Sequence, residues 1–234
     1  MRQPPLLARL KASLQASAGD VVFGMEDGTV SIFGLVFGVA ATTNDQSAVL
    51  IAGASGAVAA AVSMMAGTYL EAETSEDQVK VLDSRIAAEL KKDSAAVVGQ
   101  VTQRLQAAGL AGEQTAVARD FLSSRPAVLK AFAMALADPE TGSADSALVR
   151  SLWMLIADFL AAAIPILPFA FLPVSEGRIV SGAVTTLLLV GLGIGRAKIG
   201  GKSVLLTVIE TVLIGVAAAL AGVGIGVAIA RMFG

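Results

Sequence analysis

Cysteine and histidine are both absent from this 234-residue chain. Without cysteine there is no disulfide and no thiolate chemistry. Without histidine, zinc hydrolysis on a histidine scaffold, haem ligation by histidine and Ser-His-Asp catalysis are excluded. Any metal must then be held by carboxylate, hydroxyl, carbonyl or thioether groups. Charge is scarce too: 15% of residues are charged against 55% hydrophobic, with a mean hydropathy of +0.75. That balance belongs to a membrane protein rather than to a large soluble domain. The net charge of −2 and the lack of any basic run leave no footprint for nucleic acid. Gly222-x-Gly224-x-Gly226 follows no strand pattern, so it is not a nucleotide loop. No nucleophile–base constellation and no cofactor motif is present; the chain reads as a non-enzyme with no resident cofactor.

Long apolar runs are what the chain does have. Five segments reach the ~20 residues that a bilayer requires: Val21–Thr43, Ala48–Leu70, Leu148–Leu172, Ile179–Arg196 and Val204–Ala230. The expected organisation is an N-terminal segment (1–20), two spans (21–70), a polar helical insert (71–147) and three further spans (148–234). The first segment carries Arg2, Arg9 and Lys11 but no apolar core, so it reads as a cytosolic lead rather than a secretory signal. Basic residues set the orientation. With the N-terminus inside, the cytosolic side receives Arg196, Lys198 and Lys202, and the outside only Arg178 and Arg231. An odd number of spans then puts the C-terminus outside, and the cell (inner) membrane is the expected location.

The insert has helical periodicity. Val79, Leu82, Ile86 and Leu90 recur at three- and four-residue spacing, as do Val98, Val101 and Leu105. Gly109 is placed to stop a helix, Gly112 opens another stretch running to about Ala137, and Asp138–Gly142 reads as a turn. Three amphipathic helices are expected, and no strand pattern occurs. The fold class is an all-α membrane protein of five transmembrane helices with a helical cytosolic insert between the second and third.

Asp27 stands out because it interrupts the first span, where a charge is costly and by default marks an ion or substrate path. Met64, near the end of the returning second span, lies at a matching depth: each is six residues, about 9 Å, inside the same face. A carboxylate and a thioether at equal depth read as a cation site, and the soft sulfur favours transition ions over magnesium and calcium. Glu26 beside Asp27 makes a carboxylate pair that attracts cations. In the other reading of Asp27, it caps a helix that begins near Gly28 at the membrane surface. Met64, Thr68 and Glu71 share a helix face leading towards the cytosol. Glu73, Glu76 and Asp77 form a second face, close enough to hold an ion or, alternatively, solvated with Lys80 paired to Glu76.

Asp158 in the third span and Glu210 in the fifth are further intramembrane acids without an obvious basic partner. Each is a candidate proton carrier or path residue, or else a protonated group bonded to a neighbouring helix. Pro165, Pro168 and Pro173 break or end the third helix and free backbone carbonyls. Gly34–Gly38, Gly191–Gly195 and Gly222–Gly226 have the spacing of close helix packing.

Gly24-x-x-Asp27-Gly28-x-x-Ser31-x-x-Gly34-Leu35-Val36-x-Gly38-Val39 and Ser63-Met64-x-x-Gly67-x-Tyr69-Leu70 resemble the first two spans of the vacuolar iron transporter family. Ile164-Pro165-x-Leu167-Pro168-Phe169 and Leu213-Ile214-Gly215 extend the resemblance across nearly the whole chain. The resemblance implies a carrier that moves ferrous and related divalent ions out of the cytosol. It also implies a homodimer with the path between its copies and, as the usual coupling, proton antiport. Asp27 and Met64 then line the path. Family members often gather ions on glutamates of the insert. This chain departs there, with Val97, Val98, Gln100, Gln103, Ala135 and Leu136 at such positions, and it has Thr68 where glutamate is usual. The expected function is Fe2+ or Mn2+ export by a dimer in the bilayer. The alternatives are a non-transporting sensor or scaffold with a degenerate insert, and a passive channel.

Overall fold

The computed structural model describes residues 6–137 and 146–233. Nine α-helices are found among them: α1 (Leu6–Ala16), α2 (Ala18–Ala40), α3 (Gln46–Lys92), α4 (Ser94–Ala107), α5 (Gly112–Ser123), α6 (Pro126–Leu136), α7 (Ala147–Phe171), α8 (Val174–Gly200) and α9 (Val204–Phe233). Of these, α2, α3, α7, α8 and α9 are long and apolar enough to cross a membrane. The chain is an all-α, multi-pass membrane protein. Arg2 and the turn expected over Asp138–Gly142 lie outside the described residues.

The helices form two compact units, one of residues 1–70 and 143–234, the other Glu71–Gly142. In the first, α2 packs on α7, α8 and α9, and α8 packs on both α7 and α9. Its core gathers Ile32, Val36 and Ala40 of α2 with Val49 and Ala57 of α3 and Ala162 and Phe169 of α7. Glycine determines how near α9 comes. A methyl on Gly34 would lie 2.8 Å from the Ala218 carbonyl oxygen, and one on Gly38 2.6 Å from that of Gly222. Gly222 and Gly226 press in turn on the backbones of Gly34 and Gly38. Two of the three glycine pairs thus face each other in one α2–α9 seam, the close-packing geometry of membrane helices. Gly191 and Gly195 take no part in it, with nothing within 4 Å of the position their side chains would occupy.

Two proline readings need correction. α7 runs unbroken through Pro165 and Pro168, and only Pro173 coincides with a helix end. Each proline removes the N–H that the carbonyl four residues earlier would use. A membrane helix survives this where neighbouring groups supply donors. Here Gln46 Nε2 donates to the Phe169 carbonyl at 2.7 Å, replacing the N–H that residue 173 lacks as a proline. Ser181 Oγ of α8 also donates to the Pro165 carbonyl at 2.7 Å, a tie between the two helices beyond the helical bonding, since the carbonyls that lose donors to Pro165 and Pro168 are those of Ala161 and Ile164. Before Pro173 the chain is extended at Leu172 (φ −125°, ψ 149°), as the clash with a following proline ring requires.

The second unit packs α4, α5 and α6 against one another around Val97, Val98, Val101, Leu122 and Leu129. Asp93 caps α4 by accepting from Ala96 N at 2.9 Å. Gly109, just past the end of α4, has φ +104°, a conformation that favours glycine and ends the helix. The single stretch expected from Gly112 to about Ala137 is instead two helices. Pro126 opens α6 at its first position, and Arg125 before it is forced out of helical geometry (φ −136°, ψ 80°). With the end of α3, the insert therefore contains four helical segments rather than three.

Candidate functional site

Asp27 lies in the interior of α2, nine residues after its first residue Ala18, and is half-buried. It does not cap a helix starting at Gly28. Ser31 Oγ donates to the Asp27 backbone carbonyl at 2.8 Å, and Thr29 Oγ1 to that of Met25 at 2.6 Å. Both hydroxyls thus satisfy themselves within their own helix, as side chains of this type do in apolar surroundings.

Across from this turn, α7 presents Met154 and Asp158, one helical turn apart and both buried. Two glycines of α2 make the approach possible. The Met154 sulfur sits over Gly24, and a methyl on Gly28 would lie 2.5 Å from the Asp158 carbonyl oxygen and 2.7 Å from its Oδ1. Asp158 is fully buried, and neither carboxylate oxygen has a hydrogen-bond partner among the described residues. Its Oδ1 thus lies over the residue that follows Asp27 in α2. Among the described residues Asp158 therefore makes no side-chain bond to a neighbouring helix. Met154 carries no sequence signal of its own, since its sulfur gains meaning only from the glycine opposite.

Glu26 has a different environment from its neighbour. Arg196 Nη1 of α8 donates to Glu26 Oε1 at 3.1 Å, and Thr211 Oγ1 of α9 donates to the same oxygen at 3.3 Å. Arg196 also stands 4.0 Å from Glu210 Oε2, so the absence of a basic partner expected for Glu210 is corrected. The group joins α2, α8 and α9 through one guanidinium. It flanks a cavity of 260 Å³ bordered by Phe23, Ile199 and Lys202. A second link, also silent in the sequence, ties α7 to the start of α2. Arg150 clasps Asp20 through two bonds of 2.9 and 3.1 Å. Nearby, Trp153 Nε1 donates to Ser13 Oγ of α1 at 2.9 Å.

On α3, Met64 is half-buried and Thr68 buried. Glu71, Glu73, Glu76 and Asp77 are all exposed. Lys80 pairs with Asp77 at 2.9 Å, not with Glu76. Among the described residues no group of three or more acidic side chains comes together. One cavity of the insert, 270 Å³, is lined by Arg85 and Arg104 against a single acid, Glu89, a balance that disfavours a cation.

The sequence model of the VIT family matches residues 18–227. Vacuolar iron transporter 1 of Eucalyptus grandis is 25% identical over 222 residues, covering 90% of this chain and 85% of that protein. A vacuolar iron transporter of Centaurea cyanus is 26% identical, covering 88% of this chain and 84% of its own length. Vacuolar iron transporter 1 of Arabidopsis thaliana is 27% identical, covering 86% and 82%. With the matched region taking in α2, α7, α8 and nearly all of α9, this chain belongs to the VIT family.

Proposed function

We propose that this protein is a metal-ion transporter that carries Fe2+ or Mn2+ out of the cytosol in exchange for protons. It works as a homodimer with the ion path between its copies. One observation carries the reading: α2, a membrane-spanning helix, holds the half-buried carboxylate Asp27 in its interior, with the buried Asp158 of α7 set against the adjacent Gly28. An intramembrane acid with no basic partner on it is what a cation path needs. The names of the relatives point to iron as cargo. Met64, in the same unit, would add the soft ligand that favours transition ions. Glu26 belongs to the arginine group and serves as a structural anion. The N-terminus and the insert lie on the cytosolic side of the cell (inner) membrane, and exposed Glu71, Glu73, Glu76 and Asp77 attract cations only diffusely.

Fe2+ and Mn2+ uptake into proteoliposomes, with and without a pH gradient, tests this. Gradient-driven uptake is expected in the wild type and lost in Asp27→Ala, whereas Met64→Ala alters ion selectivity. Wild-type flux in Asp27→Ala defeats the assignment. The exposed, dispersed acids of the insert favour one second reading, a sensor or scaffold that keeps the transporter fold. Such a protein would bind metal without moving it in the same vesicles.

A further inference from the structure

Asp158 is fully buried, its two carboxylate oxygens find no donor among the described residues, and Oδ1 lies over Gly28, the residue next to Asp27. A carboxyl group stripped of water and of hydrogen bonds is held in a membrane bundle either as the neutral acid or beside a counter-charge. The arginines of α7 and α8 are engaged elsewhere. Arg150 clasps Asp20, Arg178 reaches Asn44 at 3.5 Å, and Arg196 lies between Glu26 and Glu210. None of these contacts is with Asp158.

The backbone shows that the approach to α2 is built rather than incidental. Gly24 and Gly28 stand one turn apart on the α2 face towards α7, and they receive Met154 and Asp158, themselves one turn apart. Any side chain at residue 28 would push the carboxylate away from the turn that bears Asp27. The opening thus admits a second charged oxygen donor to the level of the first, from within the same chain.

Resting on the reading of Asp27 given above, we propose that Asp158 is a second carboxylate ligand of the transported divalent cation. It reaches the site from α7 through the opening at Gly28. Asp27 and Asp158 together supply hard oxygen donors, which suits Mn2+ and Fe2+. A cation between them also provides the positive charge that the protein's own arginines do not.

Equilibrium Mn2+ binding to the full-length protein in detergent, followed by the electron paramagnetic resonance signal of free Mn2+, tests this together with melting temperature. Asp158→Asn preserves shape and removes the charge. It is expected to weaken Mn2+ binding at least tenfold and to abolish the Mn2+-induced rise in melting temperature. The metal-free melting temperature should stay level or rise, because an unpaired buried charge has gone. Unchanged Mn2+ affinity in Asp158→Asn overturns the proposal, and does so equally if the variant melts lower, since the role is then structural. If Asp158→Asn does not fold, Asp158→Ser is measured by the same criteria. Asp27→Asn run in parallel separates the two readings. Binding lost in Asp27→Asn but kept in Asp158→Asn removes Asp158 alone, whereas wild-type binding in Asp27→Asn removes the underlying site.

Discussion

Asp158 of α7 occupies the space over Gly28 of α2 that a side chain would otherwise fill, its Oδ1 lying 2.7 Å from where a Cβ would stand. The two residues are 130 positions apart and fit only because one has no side chain and the other is short.

Gly28→Ala is therefore expected to be costly although alanine is the better helix former. Its methyl meets the Asp158 backbone at 2.5 Å, which neither helix can relieve by a rotamer change. Overpacking of this kind costs about 1–3 kcal/mol. Gly99→Ala in α4, with nothing within 4 Å, serves as the control and should be neutral or stabilising by about 0.5–1 kcal/mol. Melting curves in detergent compare the two.

The α2–α9 seam makes a parallel prediction. Gly38→Ala drives a methyl to 2.6 Å from the Gly222 carbonyl and should lower the melting temperature, while Gly191→Ala, with no neighbour within 4 Å, should be tolerated. Equal effects at the two positions would contradict the seam.

Arg196 and Glu26 should behave as one unit. Arg196→Gln leaves Glu26, whose side chain is 13% exposed, without its counter-ion, and Glu26→Gln leaves the guanidinium with the more exposed Glu210. The arginine change should cost more. The double variant should be less damaging than the sum, with a coupling of about 0.5–3 kcal/mol in a double-mutant cycle.

In the insert, Leu129 is fully buried in the core that α4, α5 and α6 share. Leu129→Ala should destabilise this unit by about 2–5 kcal/mol and raise its susceptibility to limited proteolysis. Val81→Ala, at a side chain 68% exposed, should change either readout little.

Span number and fold class were legible because bilayer length imposes long apolar runs, and the glycine pairs of α2 and α9 announced close packing by their spacing. What spacing could not tell was which pairs meet: 34–38 and 222–226 do, 191–195 does not. Proline misled in both directions. Pro126 does divide a helix, yet the periodicity around it looked continuous. Pro165 and Pro168 do not, and spacing alone could not tell them from Pro173, before which the chain turns extended at Leu172. Charge was the least readable feature. Glu26 and Asp27 are neighbours in the chain but lie about 100° apart on the helix, and only Glu26 meets Arg196. Nothing local distinguishes their roles.

The proline-rich end of α7 also bears on the order of biosynthesis. The donor that replaces the N–H missing at Pro173 is Gln46, made more than a hundred residues before Phe169. That donor already exists when Phe169 leaves the ribosome. The end of α7 can therefore settle against the start of α3 without waiting for a later helix.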